Sequence, residues 1–203
     1  MSLRAVPMFV LLVGLGNPGP EYALNRHNVG YMVVDDLAYT FNASHEKKQG
    51  RTLVREAKIG DTRVLLVKTL SYMNVSGPPV AELASFYKIP LDDVIVFHDE
   101  LDLEFGRLRV KQGGGSGGHN GLKSLDSSLG QNYWRVRIGI GHPGDKNRVA
   151  GYVLQNFTKA EQEEVGDLLD DISQEITGLF LKDKSAFASK MATRRAARTQ
   201  KEK

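Results

Sequence analysis

The sequence contains no cysteine. That excludes a disulfide framework, a thiolate metal site and a thiol nucleophile together. A reducing cytoplasm fits this composition. No apolar run approaches the ~18 residues of a membrane span, so no integral membrane protein is expected. A leader is not expected either. Only Met1 to Pro7 precede the first apolar run, Met8–Val13, and they are too short for a transit peptide and lack the layout of a secretory signal.

What is present suits an ordinary globular chain. The 203 residues are 41% hydrophobic and 25% charged, a length and composition that fit a single domain spanning residues 1–203. A chain of this size buries about 70% of the surface exposed when unfolded. The net charge of +3 is unevenly placed: residues 182–203 hold eight basic and two acidic residues, and the remainder 19 basic and 22 acidic. This basic tail, from about residue 182, suits a polyanion partner. A solvated terminus is the plainer alternative.

Strand and helix patterns alternate along the chain. Phe9–Val13 reads as a buried strand, and Gly14–Asn28 as a loop. Val33, Leu37 and Phe41 mark a helix. Thr52–Lys58 and Arg63–Lys68 flank Gly60-Asp61 as a hairpin. Val80, Leu83, Ala84 and Tyr87 mark a second helix, closed by Pro90. Val94–Phe97 is a short strand. Arg107–Lys111 alternates basic and apolar residues, giving one wet, positive face. Six of the 21 glycines lie between Gly113 and Gly121. A helix over about 120–129 and a strand over Trp134–Ile140 follow. Thr158 and Glu161 form a capping box. The helix it opens carries an apolar stripe from Val165 to Phe180. The expected fold is a single α/β domain, with a mixed, mostly parallel twisted sheet and helices on both faces. Sites in such sheets form where loops leave the carboxyl ends of strands.

Gly14-Leu15-Gly16-Asn17-Pro18-Gly19 spells GxGxxG after a strand, the pattern of a dinucleotide site. That fingerprint needs a helix to begin within the motif, and here Pro18 and a polar stretch intervene. A tight turn that places Asn17 in the crevice is the other reading. A nicotinamide-dependent oxidoreductase is accordingly one rival function. The Gly113–Gly118 loop is not a Walker A motif, because His119 and Asn120 stand where Lys and Ser/Thr belong. It suits either a lid or a plain flexible loop.

His27 lies just before a helix, and Asp99 follows a strand that belongs beside the first. A carboxylate on one imidazole nitrogen fixes the tautomer and leaves the other free to take a proton. With no thiol and no GxSxG elbow, water is the natural nucleophile. A metal on His27, His98, Asp99, Glu100, Asp102 and His119 is the alternative, but no HExxH or comparable spacing supports it. Asn17, Asn74 and Asn120 lie in three loops, and three amides suit a carbonyl and a peptide backbone. Arg109, Lys111, Arg137 and Lys146 suit a positive rim continuous with the tail, able to contact phosphates. A non-catalytic RNA-binding module is the second rival.

Taken in order, several blocks resemble one family over about residues 9–187. They are Val13-Gly14-Leu15-Gly16-Asn17-Pro18-Gly19, Tyr22, Arg26-His27-Asn28-Val29-Gly30 and Met73-Asn74-Val75-Ser76-Gly77. His98-Asp99-Glu100-Leu101-Asp102, Gly113–Gly121 and Arg137-Ile138-Gly139-Ile140-Gly141-His142-Pro143-Gly144 complete the set. The chain resembles the bacterial-type peptidyl-tRNA hydrolases. The resemblance implies an esterase that cleaves the bond between a peptide and the tRNA 3′ ribose, recycling tRNA. It implies His27 as general base and Asp99 as its holder. It implies Asn17 in discriminating N-blocked substrates, and Asn74 and Asn120 in holding them. Tyr22 and Tyr72 would line the site near the tRNA 3′ end, with Arg109, Lys111, Arg137 and Lys146 on phosphates. It implies a monomeric, cytoplasmic, metal-free enzyme with no cofactor, whose partner is peptidyl-tRNA. Three positions depart from the family pattern: Asn25 in place of Thr, the stretch Lys68–Tyr72, and Arg109 in place of Lys.

Overall fold

The computed structural model describes residues 9–201. The short segment before Met8, read above as no leader, and the last two residues of the basic tail lie outside the described residues. The chain runs β1 (Val10–Gly14), α1 (Val29–Thr40), β2 (Lys47–Gln49), β3 (Thr52–Ile59), β4 (Thr62–Thr69), α2 (Gly77–Phe86), β5 (Val94–Glu100), β6 (Leu108–Gln112), α3 (Asn120–Leu129), β7 (Trp134–Gly139), α4 (Val149–Val153), α5 (Lys159–Glu175) and α6 (Ser185–Lys201). The strands form one sheet in the order β2-β3-β4-β1-β5-β7-β6.

The centre of this sheet is parallel, as expected: β1 pairs with β4 and β5, and β5 with β7. The pairs at both edges, β2–β3, β3–β4 and β6–β7, are antiparallel. Every residue of β1 is buried, which a strand covered on both faces requires. Its alternate side chains serve different cores. Val10 and Leu12 pack with Val34, Leu37, Leu168, Ile172 and Phe187 of α1, α5 and α6. Leu11 and Val13 pack with Val80, Leu83, Leu122 and Leu125 of α2 and α3. Each such side chain contributes about 2 kcal/mol when fully buried. Among the described residues, no helix is long and apolar enough to cross a membrane.

Three elements differ from the sequence reading. The Gly14–Asn28 loop contains two 3-10 turns, Pro20–Tyr22 and Arg26–Asn28. The helix opened by the Thr158–Glu161 capping box ends at Glu175, and a 3-10 turn continues the stripe through Phe180. The basic tail is a helix, α6, laid along α5. Two of its arginines and one lysine are engaged there. Arg194 pairs with Glu175 and Asp171, and Arg198 with Asp167 and Asp171. Lys190 pairs with Glu175. Three of the tail's eight basic residues are thus met within the chain, because α5 offers a row of acids one helical turn apart.

Candidate active site

Two close backbone crossings build the site. A Cβ on Gly30 would sit 2.3 Å from the Phe97 carbonyl oxygen and 2.5 Å from the Leu15 amide nitrogen. Only glycine lets the start of α1 cross the ends of β1 and β5 so closely. His27, three residues before Gly30, is thereby set against Asp99 near the end of β5. The GxGxxG glycines serve the same approach. A Cβ on Gly14 would meet the Gly30 carbonyl at 2.2 Å, and one on Gly16 the Tyr31 ring at 2.7 Å. The helix begins at Val29, well past the motif, and the acids at the expected distance are engaged elsewhere: Asp35 with Lys68 and Asp36 with Ser173. These features do not support the dinucleotide reading. The second crossing is at Gly121. A Cβ there would lie 2.5 Å from Met73 Sδ, so the first turn of α3 can approach the turn holding Asn74.

Asp99 is 3% exposed and serves two imidazoles. His27 Nδ1 lies 2.9 Å from both its oxygens. His119 Nε2 lies 2.9 Å from Oδ1. The tautomers follow from the partners. His119 caps α3, and its Nδ1 accepts from the Gly121 and Leu122 amides at 3.1 and 3.3 Å. Its proton is therefore on Nε2 and is donated to Asp99. An ionised carboxylate only accepts, so His27 donates from Nδ1. That leaves His27 Nε2 as a bare lone pair. Burial pushes the Asp99 carboxyl up, but His119 and His27 outweigh it and hold the group well below the usual carboxylate range.

Beside this pair, His98 is fully enclosed. Its Nδ1 lies 2.7 Å from the Asp99 backbone carbonyl, to which it donates. Burial, with His119 nearby, pulls its pKa down to about 3, so it is neutral at ordinary pH.

The three asparagines differ in state. Asn17 is buried. Its Oδ1 accepts from the Met73 amide at 2.8 Å. Its backbone is clamped to the Asn28 side chain by two 2.9 Å bonds. Asn74 and Asn120 are exposed, one in the 3-10 turn Met73–Val75 and one opening α3. Tyr22 and Tyr72 meet edge to face, 6.4 Å between centres, with Tyr72 58% exposed.

The basic residues separate into three places. Arg109 and Arg137 are paired across β6 and β7. Lys111 and Arg137 wall a cavity of about 90 Å³, with His98, Arg135 and the glycine loop. Arg109 also lines a groove between β6 and the α5–α6 pair, beside Arg198. Lys146 stands apart, exposed in the turn Lys146–Arg148. Arg137 Nε donates to Glu100 at 2.8 Å. That bond lowers the Glu100 pKa against the effect of its burial.

Sequence reasoning passed over several residues here. His119 was weighed only as a metal ligand, although a histidine standing where Ser or Asp usually caps a helix was a readable signal. Asn28 and Arg26 were read as parts of a motif without a role. Arg26 is 5% exposed, and both its terminal nitrogens are used. One holds Glu161 at 2.7 and 2.8 Å, and the other the Asn156 carbonyl at 2.6 Å. His27, Asp99 and His119 also bring one donor atom each within 4.8 Å, a grouping able to take a divalent cation. No spacing rule reveals it, because the residues are far apart in sequence. The 2.9 Å separations suit N–H···O bonds. Ligands around zinc stand about 3.3 Å apart when each bond is about 2.0–2.1 Å.

A buried carboxylate that orients an imidazole at the mouth of an α/β sheet is the equipment of a hydrolase. Comparison with known proteins narrows this further. Residues 11–202 match the family model described as peptidyl-tRNA hydrolase. The chain is 52% identical over 182 residues to the peptidyl-tRNA hydrolase of Rhodospirillum centenum, covering 90% of this chain and 80% of that one. It is 50% identical over 184 residues to that of Novosphingobium aromaticivorans, covering 91% and 96%. The crystal structure of peptidyl-tRNA hydrolase from Acinetobacter baumannii superposes with a TM-score of 0.86 at 36% identity, covering 93% of this chain and 96% of that one. The chain belongs to the peptidyl-tRNA hydrolase family.

Proposed function

We propose that this enzyme cleaves the ester between a peptide and the 3′ ribose of tRNA, using a water molecule activated by His27. One observation carries the reading. His27 Nδ1 lies 2.9 Å from both Asp99 oxygens, so in the neutral ring the Nδ1 proton goes to the carboxylate and Nε2 is the nitrogen left to take a proton from water. Such a base contributes roughly 10²–10⁴-fold to the rate. As water is deprotonated, Asp99 stabilises the imidazolium that forms.

The other parts find roles around that step. Asn17 Oδ1 is occupied by the Met73 amide, so its Nδ2 is the group that donates to the substrate next to the ester, favouring an N-blocked peptide over a free amine. Asn74 and Asn120 hold the peptide backbone from two sides. Tyr22 and Tyr72 offer a stacking platform for the unpaired 3′ end. Arg109, Lys111 and Arg137 contact phosphates, with Lys146 as a separate contact. In this reading the enzyme acts as a monomer in the cytoplasm, where peptidyl-tRNA is made. The reaction proceeds without a metal or cofactor.

The test compares an N-blocked aminoacyl-tRNA with its unblocked counterpart, with EDTA present. Rapid cleavage of the blocked substrate alone is expected. His27→Ala is expected to remove most turnover while tRNA affinity stays near that of the wild type. Near-normal kcat in that variant overturns the assignment of the base.

A further inference from the structure

The glycine loop has little to hold it in place. A side chain on Gly115, Gly117 or Gly118 would meet open space, and Gly113, Gly114, Gly117 and Gly118 have positive φ. At its entry the Gly113 amide donates to the Tyr133 carbonyl at 3.0 Å, and at its exit the His119 amide donates to the Ser116 carbonyl at 2.9 Å. Midway, the Gly115 carbonyl accepts a 2.8 Å bond from Arg135.

Arg135 is an unusual side chain to find there. It is 2% exposed, the second residue of β7. A second terminal nitrogen donates to Asp126 Oδ1 at 2.7 Å. The Tyr133 hydroxyl donates to the same oxygen at 2.7 Å, and the guanidinium lies over the Tyr133 ring at 4.7 Å. Asp126 belongs to α3, and the residue capping α3 is His119. The bonds therefore close a ring: loop, His119, α3, Asp126, Arg135, and back to the loop at Gly115. A flexible segment is joined at its middle to the helix it leads into.

We propose that Arg135 is a positioning residue for hydrolysis. By latching Gly115 to α3 it fixes the end of the loop, keeps His119 on Asp99, and so holds the carboxylate that orients His27. The planar guanidinium reaches the carbonyl and the carboxylate from two separate nitrogens held in a rigid fork, where an ammonium offers a single nitrogen. The inference rests on the function proposed above for its effect on turnover, but the latch itself can be read without any substrate.

The experiment uses Arg135→Lys, which keeps a cation beside Asp126 and loses the second arm. Amide hydrogen exchange across residues 114–119 is expected to rise at least tenfold, with core amides of β1 and β5 unchanged. On an N-blocked aminoacyl-tRNA, kcat is expected to fall at least tenfold, with KM within about threefold. In Arg135→Ala, added guanidinium at non-denaturing concentration is expected to restore part of kcat. Loop exchange unchanged in a folded variant overturns the latch. Faster loop exchange with an unaltered kcat overturns the positioning role. If Arg135→Lys does not fold, Asp126→Asn must raise exchange in the same amides, and unchanged exchange there overturns the proposal. If the wild type leaves the blocked substrate intact, the proposed function fails, and the exchange result alone decides the latch.

Discussion

Replacing Asp99 by asparagine separates orientation of the base from its mere presence. The two side chains have nearly the same volume, and Asp99 itself is buried. Asparagine, however, offers one acceptor and one NH₂ where the carboxylate offered two acceptors. His119 has no choice of tautomer, because the Gly121 and Leu122 amides occupy its Nδ1. Its Nε2 proton claims the asparagine oxygen. The NH₂ then faces His27 Nδ1, which has to accept. The ring's single proton moves to Nε2, the nitrogen that should take a proton from water. Loss of the general base costs roughly 10²–10⁴ in rate, about 3 to 5 kcal/mol of transition-state stabilisation. The assay is single-turnover release from an N-blocked aminoacyl-tRNA across about pH 6 to 9. A fall in kcat with little change in KM is expected at every pH, since raising the pH does not correct a tautomer. A variant within tenfold of wild type, or one that recovers at alkaline pH, refutes the reasoning.

Two further outcomes follow from charges elsewhere. His98 titrates near ~6.5 when unfolded and at about 3 when folded. The unfolded chain therefore binds more protons between these values, and stability falls as pH drops below about 6.5. This group alone costs about 2 kcal/mol between pH 7 and 5. Denaturant midpoints at both pH values are expected to differ less in His98→Gln, and an unchanged difference refutes the assignment. Lys111→Ala with Arg137→Ala is expected to flatten the salt dependence of tRNA binding by about 1 to 2 in slope. Arg194→Ala with Arg198→Ala is expected to leave it unchanged, since those cations face α5 acids; filter binding over a salt series tells the pairs apart.

The legible parts of this fold are those whose signal lies in one stretch of chain. β1 announces itself because both its faces are buried, and α5 because a capping box precedes an apolar stripe. Pairing at a distance leaves no such mark. β2 is three polar residues, Lys47-Lys48-Gln49, the first two exposed, and is a strand only because β3 lies beside it. The tail reads as free positive charge, because its acidic partners belong to α5. In the site, His27 and Asp99 were readable through motif and strand end. The link from His119 to Asp99 was not, since it depends on how closely α3 approaches β5. The scatter of the basic residues over a cavity, a groove and an isolated turn is likewise a product of register and loop path.

Glu161 does two things at once. Its Oε2 accepts from the Thr158 amide at 2.7 Å, capping α5, and both its oxygens hold Arg26 next to His27. Arg26 and His27 are consecutive residues in one 3-10 turn. The first turn of a long outer helix and the turn that carries His27 thus share one carboxylate. A change at Glu161 reaches both, so the capping of α5 and the setting of His27 are coupled through a side chain that touches neither the sheet nor Asp99.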